Sequence, residues 1–455
     1  MEIFLMKRYA LLGFALAVLW LGSPVLPVQA AEGGDADAVV DLLTVYQVAL
    51  AQDAQLRAME ARYRAVLEAR PLARSALLPQ IDGAAQQAYS DTNPKGASSM
   101  DYGTTRLSLN LNQSLYNQAQ RIALKQADLE IARMAAELDA ARQSLALRVA
   151  EAYFGILAAQ DNLLFATAQQ EAIGRQLEQS ERRFEVGLIA ITDVKESQAQ
   201  FDIAVAQKIA ASNQLDIARE ALTVITHTHY EHLAPLSAQM PLVNPEPPVI
   251  EQWVETATDN NLSLLAARLA VETQAEEIKR QRAGHYPTLG LGASYTDTQF
   301  SSVPAERAGN LRDGRDAQIA LQLTVPVYTG GRTSALVRQS REQFDAVRED
   351  LQFNERQVIR QTRAAYLSVV SGISSVHALN RALESTQAAA EAAEAGFEIG
   401  TRTAVDVLLA LREVFRAQRD YAQTRYDYLL STLRLKEAAG ILAEDDLVAV
   451  NLWLD

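Results

Sequence analysis

Three histidines, His227, His229 and His232, form an H-x-H-x-x-H cluster with the side-chain type and close spacing that a divalent metal site uses. They stand just before a proline-rich segment, and no partner ligands are evident near them in the sequence. We therefore interpret the cluster as the end of a helix and predict no metal site.

The other chemical signals are also weak. Gly330 and Gly331 lie between a predicted strand and a predicted helix, as phosphate-loop glycines do, but the Gly-x-x-x-x-Gly-Lys spacing is missing. The chain has no cysteine, which excludes a thiolate zinc site, a cysteine nucleophile and a disulfide framework. No Ser/His/Asp arrangement or paired-carboxylate pocket stands out. We predict no catalysis and no cofactor.

Composition and the first residues indicate where the chain works. The 455 residues carry a formal charge of −14 without a Lys/Arg block, so nucleic acid is not an expected partner. A basic Lys7-Arg8 pair, a short apolar run over 9–21 and small residues before Ala30 predict a secretory signal over residues 1–30. A retained membrane anchor is the alternative, but the run is shorter than the roughly 20 residues that a spanning helix needs.

The elements that position any site come from a duplication. The segment Phe184-Glu185-Val186-Gly187 recurs as Phe397-Glu398-Ile399-Gly400, at an offset of 213 residues. This spacing predicts a first repeat over 31–226 and a second over 251–440, followed by a C-terminal segment over 441–455. Five of the thirteen prolines crowd the segment between the repeats, so residues 227–250 are the predicted linker.

Each repeat contains a long heptad pattern. Apolar or small residues recur every seventh position from Leu124 to Ala159 and, in the second repeat, from Val337 to Gly372. A sustained heptad stripe predicts a long helical hairpin with a coiled-coil seam. The proline-free stretch over 117–187 would extend roughly 100 Å as a helix, so each repeat has the dimensions of a rod.

Before each heptad pattern the hydrophobic period falls to two. We predict two strands in the first repeat, at about 80–89 and 104–115, and two in the second, at about 288–297 and 316–327. Their length of about ten residues is typical of membrane-spanning β-strands, although an ordinary antiparallel sheet in water remains an alternative from these segments alone. Four strands are too few to close a barrel in lipid, so a membrane location requires oligomerisation.

Several blocks together resemble the TolC family of outer-membrane channels. The resemblance as a whole extends from about Asp41 to Leu447. The blocks that carry it are Val186-Gly187-Leu188, Ala190-Ile191-Thr192-Asp193-Val194, Asn261-Leu262-Ser263-Leu264-Leu265, Pro326-Val327-Tyr328-Thr329-Gly330-Gly331 and Gly400-Thr401-Arg402-Thr403-Ala404-Val405-Asp406.

The resemblance implies a mainly α protein with a membrane β-barrel. In this architecture a homotrimer builds a 12-stranded barrel in the outer membrane of a Gram-negative cell, and a long α-helical barrel continues it through the periplasm. The implied function is an exit duct for tripartite drug efflux and type I protein secretion. The implied partners are a periplasmic adaptor (membrane fusion) protein, an inner-membrane efflux pump or ABC exporter, and outer-membrane lipid.

By the same resemblance, the ends of the helical hairpins carry the function. Two short segments would form the surface that the adaptor engages: Val186, Gly187 and Leu188, and Ile399, Gly400 and Thr401. Because each glycine stands where a long helix must reverse, its simpler role is that of a helix C-cap.

Four polar residues after these turns form a periplasmic gate by resemblance: Thr192, Asp193, Arg402 and Asp406. Arg402 would link to Asp193 and Thr192 of a neighbouring helix, and Asp406 would place a carboxylate in a constriction ring. Thr403-Ala404-Val405-Asp406 also fits a capping box, and a capping role is equally open for Thr192 and Asp193. Two positions depart from the family: Phe397 stands at a tyrosine position, and Leu409 replaces a second ring aspartate.

A different class of function stays open from sequence alone. A periplasmic coiled-coil adaptor or scaffold would use the same long helices without forming a pore.

Overall fold

The computed structural model describes residues 39–92, 100–237, 239–301 and 312–455. The predicted signal segment over 1–30 lies outside these ranges. So does most of the polar stretch between the strands of each predicted pair.

The elements of the first repeat follow the predicted order of helix, two strands and long helical hairpin. They are α1 (Leu42–Gln52), α2 (Ala54–Leu67), α3 (Ala69–Ser75), β1 (Gln80–Thr92), β2 (Met100–Tyr116), α4 (Gln118–Glu185) and α5 (Ile191–Thr226).

The second repeat has the same order. Its elements are α6 (Ile250–Asn260), α7 (Leu262–Arg282), a 3₁₀ turn (Ala283–His285), β3 (Thr288–Ser301), β4 (Gly314–Thr324), α8 (Arg332–Glu398) and α9 (Ala404–Ala438), and the helix α10 (Glu444–Asn451) follows it.

The long helices are continuous. α4 has 68 residues and α8 has 67, which correspond to roughly 100 Å each. α4 starts at Asn117, whose side chain accepts a hydrogen bond from the backbone N–H of Gln120 at 3.3 Å. No helix in the described ranges combines the length and the apolar character needed to cross a lipid bilayer.

The strands form one antiparallel sheet in the order β1-β2-β3-β4. All four extend beyond the predicted bounds at the end near the polar stretches, because residues there stay paired, as Asp91 is with Asp101 and Thr298 with Gly314. β4 ends at Thr324, short of the predicted 327, since the proline at 326 has no backbone N–H to donate to a ladder. β1 and β4 are the two edges of the sheet.

Below the sheet the helices lie in one layer. α4 packs against α5 on one side and α9 on the other, and α9 packs against α8. Nearer the sheet, α7 packs between α4 and α8. The outer helices are therefore α5 and α8 in the half away from the sheet, whereas α2 and α3 pack against α4 nearer the sheet.

The main core lies about halfway along the long helices, where α1, α10 and the linker pack across them. Tyr153 of α4 is fully buried, and its hydroxyl donates to the carbonyl oxygen of Ala234 in the linker at 2.9 Å. The hydroxyl of Tyr428 in α9 accepts from the backbone N–H of Val243 at 2.8 Å and lies 2.9 Å from its carbonyl oxygen. These aromatic side chains fix the linker to the long helices and leave the far ends of the hairpins without a comparable core.

Candidate functional site

The far ends of the two helical hairpins have the same backbone. At the first turn, the N–H of Gly187 donates to the carbonyl of Phe184 and the N–H of Leu188 to that of Arg183, both at 2.9 Å. The second turn repeats this pattern, from Gly400 to Phe397 at 3.2 Å and from Thr401 to Gly396 at 2.8 Å. Both sets of bonds form a Schellman motif, which satisfies the last carbonyl groups of a helix.

The motif explains the two glycines. Gly187 has a φ of +77° and Gly400 a φ of +78°, in the left-handed region that favours glycine. A Cβ added at either position would meet no heavy atom within 4 Å. The C-cap role predicted for both glycines is therefore found, and each also leaves an open patch of backbone at the turn.

Apolar side chains surround these open patches. Val186 is 70% exposed, Leu188 72% and Ile399 78%. Thr401 is exposed as well. Side chains of this kind at the end of a rod form a small apolar surface beside the accessible backbone of each turn.

The helix after the second turn starts with a capping box. The Thr403 hydroxyl accepts from the N–H of Asp406 at 3.2 Å, and the Asp406 carboxylate accepts from the backbone N–H of Thr403 at 2.9 Å. The Thr403 hydroxyl also donates to this carboxylate at 2.9 Å. The two hydrogen bonds that the carboxylate accepts, the backbone one first, hold the pKa of Asp406 below its usual value, and the charge of Arg402 adds to the effect. The capping role that the T-x-x-D pattern predicts is present, and the carboxylate remains accessible to solvent.

The helix after the first turn starts differently. Its N-cap is Ala190, and no side chain makes a capping hydrogen bond there. Thr192 is exposed and Asp193 partly exposed in the first helical turn. The capping role that the sequence left open for these two residues is not found, because the cap position lies before both of them and is occupied by alanine.

Arg402 packs its aliphatic stem against its own turn. A Cβ added at Gly396 would lie 2.7 Å from the Arg402 Cγ atom. Within the described part of one chain, no ion pair joins Arg402 to Asp193. The link between these two residues stays a prediction.

Sequence reasoning missed a contact between the two turns. The guanidinium of Arg183 lies 4.1 Å from the ring centroid of Phe397, and its Nη1 atom donates to the Phe397 carbonyl at 3.3 Å. Phe397 is only 3% exposed, whereas Phe184, its counterpart in the first repeat, is 41% exposed. The sequence did offer one signal for an interaction at this place. Arg183 lies in the last turn of a helix, and a positive charge is stabilised near the carbonyl groups at a helix C-terminus.

In the described ranges, no group of three His, Asp or Glu side chains is placed to hold a metal ion. His227 is the left-handed C-cap residue of α5, as its interpretation as a helix end predicts. The chemistry that the turns offer is apolar contact, backbone hydrogen bonding and exposed charge.

The described chain is thus a duplicated, mainly helical fold with a small antiparallel sheet at one end of the long helices and two charged turns at the other. The chain belongs to the outer membrane efflux protein family, which it matches over residues 45–226 and 253–441. The two matched stretches correspond to the two repeats. The predictions of family, fold class and outer-membrane location are confirmed.

Relatives match over most of their length. The outer membrane protein TolC of Vibrio cholerae is 38% identical, over 91% of this chain and 94% of its own. TolC of Escherichia coli K12 is 36% identical, over 90% and 84%. The alkaline protease secretion protein AprF of Pseudomonas aeruginosa is 31% identical, over 90% and 87%.

Solved structures agree on the fold. The outer membrane protein VceC of Vibrio cholerae superposes with a TM-score of 0.74 at 19% identity, covering 88% of this chain and 96% of that one. The open state of the MtrE outer membrane channel of Neisseria gonorrhoeae gives a TM-score of 0.70 at 18% identity, covering 91% and 96%.

Proposed function

We propose that three copies of this chain form a passive exit duct through the outer membrane for drug efflux and type I protein secretion. The observation that carries the proposal is that both layers of the protomer are open at two edges. In lipid, the unpaired backbone groups of β1 and β4 each need a partner strand. Four strands from each of three copies give the twelve strands of the predicted barrel.

The sheet has a face suited to lipid. Leu111 of β2, Ala293 of β3 and Ile319 of β4 are register partners and so share one face. On the same face, Leu321 and Leu323 alternate with polar residues along β4 and are exposed in the protomer. A row of apolar residues at every second position is the pattern that the outside of a membrane barrel requires.

The helical layer supports the same assembly. α5, one of its outer helices, carries five large exposed apolar side chains: Ile191, Ile203, Ile209, Ile217 and Val224. α8, the opposite outer helix, exposes Leu367 and Val370. Joining α5 of one copy to α8 of the next would cover these side chains and close a hollow cylinder below the barrel.

The turns at the end of this cylinder are the proposed docking surface for a periplasmic adaptor. Val186, Leu188 and Ile399 supply apolar contacts, and Gly187 and Gly400 allow a partner's backbone to approach closely. An inner-membrane efflux pump or an ABC exporter would supply the energy. We assign the duct itself no catalytic step.

The same end carries the proposed gate. Arg402 of one protomer binds Asp193 and Thr192 of the next, which fits the absence of this ion pair within one described chain. The three Asp406 carboxylates form a ring that attracts cations.

The proposed division of the chain is a signal over 1–30, repeats over 31–226 and 251–440, a linker over 227–250 and a C-terminal segment over 441–455.

The test combines fractionation, mass and conductance. The expressed protein should enter the outer-membrane fraction, have the mass of a trimer in detergent and give low-conductance pores in a planar bilayer. A periplasmic scaffold without a pore, the alternative function, would remain in the soluble periplasmic fraction. A stable monomer that spans the bilayer would contradict the trimeric model.

A further inference from the structure

The seam of α4 changes character toward the turn. Leu138 and Leu145 lie one heptad apart in its upper half and are buried. Farther along, this register reaches Ile173 and Ser180, and a neighbouring row at heptad spacing is polar, with Gln169, Gln176 and Arg183. A polar seam packs less firmly than an apolar one, so individual contacts between the hairpins matter more here.

The last of these residues reaches across to the second hairpin. The Arg183 guanidinium stacks on Phe397 at 4.1 Å and donates to its carbonyl oxygen at 3.3 Å. Arginine over an aromatic ring is attracted by the charge distribution of the ring. The carbonyl is one of the last in α8, where the helix dipole also favours a cation.

The ring itself is firmly held. Phe397 packs with Ala404 and Val407 of α9, and Ala393 and Leu411 complete the cluster. The ring is therefore fixed to both helices of the second hairpin. Through it, a single side chain at the end of α4 holds the end of the first hairpin against the whole second turn.

The contact between Arg183 and Phe397 lies far from the next apolar contact between the hairpins. The next apolar contact between the hairpins, formed by Ile173, Ala204 and Leu408, lies ten residues back along α4. At 1.5 Å per residue this is roughly 15 Å of helix. When the contact between Arg183 and Phe397 is lost, the end of the first hairpin can move relative to the second hairpin, with the inner contact as the pivot.

We propose that the Arg183–Phe397 contact is a latch within each protomer that holds the two turns together in the closed state. It is distinct from the Arg402–Asp193 link between protomers. The Arg183–Phe397 contact positions the link between protomers. Arg183 lies just before the reversal that leads to Asp193, and Phe397 lies just before the reversal that leads to Arg402. The inference rests on the proposed channel function.

Single-channel recording tests the latch. Arg183→Ala should raise the conductance of the closed pore, by about two- to fivefold if the loss of one cation–π contact sets the closing equilibrium. Phe397→Leu, which keeps an apolar side chain in the cluster, should do the same, and the double variant should add nothing further. Arg183→Lys keeps the charge but loses the planar stack, so it should conduct more than the unaltered protein.

A neighbouring arginine offers a matched control. Arg182 is exposed at the same helix end and pairs with Glu178 of its own helix. Arg182→Ala should therefore conduct like the unaltered channel. Equal conductance of Arg183→Ala and Arg182→Ala would overturn the latch, provided that both trimers resist heat to the same degree.

Hydrogen exchange tests the latch without relying on a pore. Arg183→Ala should increase deuterium uptake in both turns, residues 184–190 and 397–403, because it uncouples them. An arginine that only stabilises its own helix end would change the first turn alone, and that result would overturn the proposal. A protein that forms no pore would contradict the proposed function, while the exchange data would still decide on the latch.

Discussion

The two helix turns, residues 184–194 and 397–407, share one backbone but differ in how the next helix begins. Both end the long helix with a Schellman motif and a glycine in the left-handed region. At the second turn Asp406 and Thr403 cap each other, whereas at the first turn Ala190 provides no side-chain cap. The duplication has thus kept the reversal of the chain while the side chains diverged.

This difference separates two uses of a carboxylate. Asp406 is engaged in its own helix start, so its position relative to the turn is fixed. In the described chain the Asp193 carboxylate accepts no hydrogen bond, whereas its backbone carbonyl accepts one from the Ser197 hydroxyl at 2.9 Å. We infer that the second turn is the stiffer of the two and that the first turn keeps a charge available for a neighbour.

The largest effect should come from replacing the turn glycines. A β-branched residue at φ near +78° costs about 1–2 kcal/mol of backbone strain. Gly400→Val and Gly187→Val should both abolish drug resistance that depends on efflux, measured as the lowest inhibitory drug concentration. Gly400→Val should also lower the heat stability of the turn more, because the capped second turn has less freedom to relax.

Asparagine separates strain from bulk at these positions. It adopts the left-handed region at low cost, so Gly400→Asn keeps the backbone but adds a side chain. Lost efflux in Gly400→Asn, with an intact trimer in the outer membrane, would indicate that docking needs the bare backbone. Full resistance with valine at both positions would exclude the turns as the docking surface.

The next effect concerns the link between protomers. An exposed ion pair contributes about 0.2–1 kcal/mol, and a trimer would repeat the Arg402–Asp193 pair at three interfaces. Arg402→Ala and Asp193→Ala should therefore raise single-channel conductance and leakage of antibiotics into the cell without changing assembly. High salt should reproduce the effect weakly by screening. Unchanged conductance in both variants would place the closing contacts elsewhere.

Most of the fold could be predicted from periodicity. The heptad stripe from Leu124 predicts the long helix α4, and alternation such as that of Leu107 and Leu109 predicts the strands. The strand ends were less predictable, because Ser, Thr and Asp give no clear signal of pairing. Such residues stay in the ladder here through their backbone groups, and the cross-strand pair of Arg315 and Asp297 adds a side-chain contact at 3.3 Å.

The site was only partly predictable. Thr403 and Asp406 form a local motif, so spacing in the sequence is enough to recognise their cap. The contact between Arg183 and Phe397 joins residues 214 positions apart, and no local pattern encodes that distance. Only the packing of α4 against the second hairpin brings the two side chains together.

A smaller effect should distinguish the two helix starts. Removing an N-cap hydroxyl costs about 1 kcal/mol, which corresponds to about a fivefold change in a local opening equilibrium. Thr403→Ala should speed amide hydrogen exchange at the start of α9 by about this factor. Thr192→Ala should leave the start of α5 unchanged, since Thr192 caps nothing there. Equal effects at both sites would contradict the difference between the turns.

The smallest effect is the pH dependence of the second turn. Because the native pKa of Asp406 is lowered, its ionised form contributes stability that is fully present above the unfolded-state pKa of about 3.9. That contribution is lost as the pH falls through the lowered value. Amide exchange at Thr403, corrected for its intrinsic pH dependence, should therefore be constant from pH 7 to 5 and accelerate only below pH ~3.9.

Asp406→Asn is the matched variant, because it keeps an acceptor oxygen but cannot ionise, and its corrected exchange should show no such acceleration. The trimer makes this measurement informative about the gate. Three carboxylates close together repel one another and would raise the pKa. A midpoint below 3.9 would therefore mean that the hydrogen bonds from Thr403 outweigh the repulsion within the ring, whereas a midpoint above 3.9 would contradict the dominance of the cap and indicate a tight constriction.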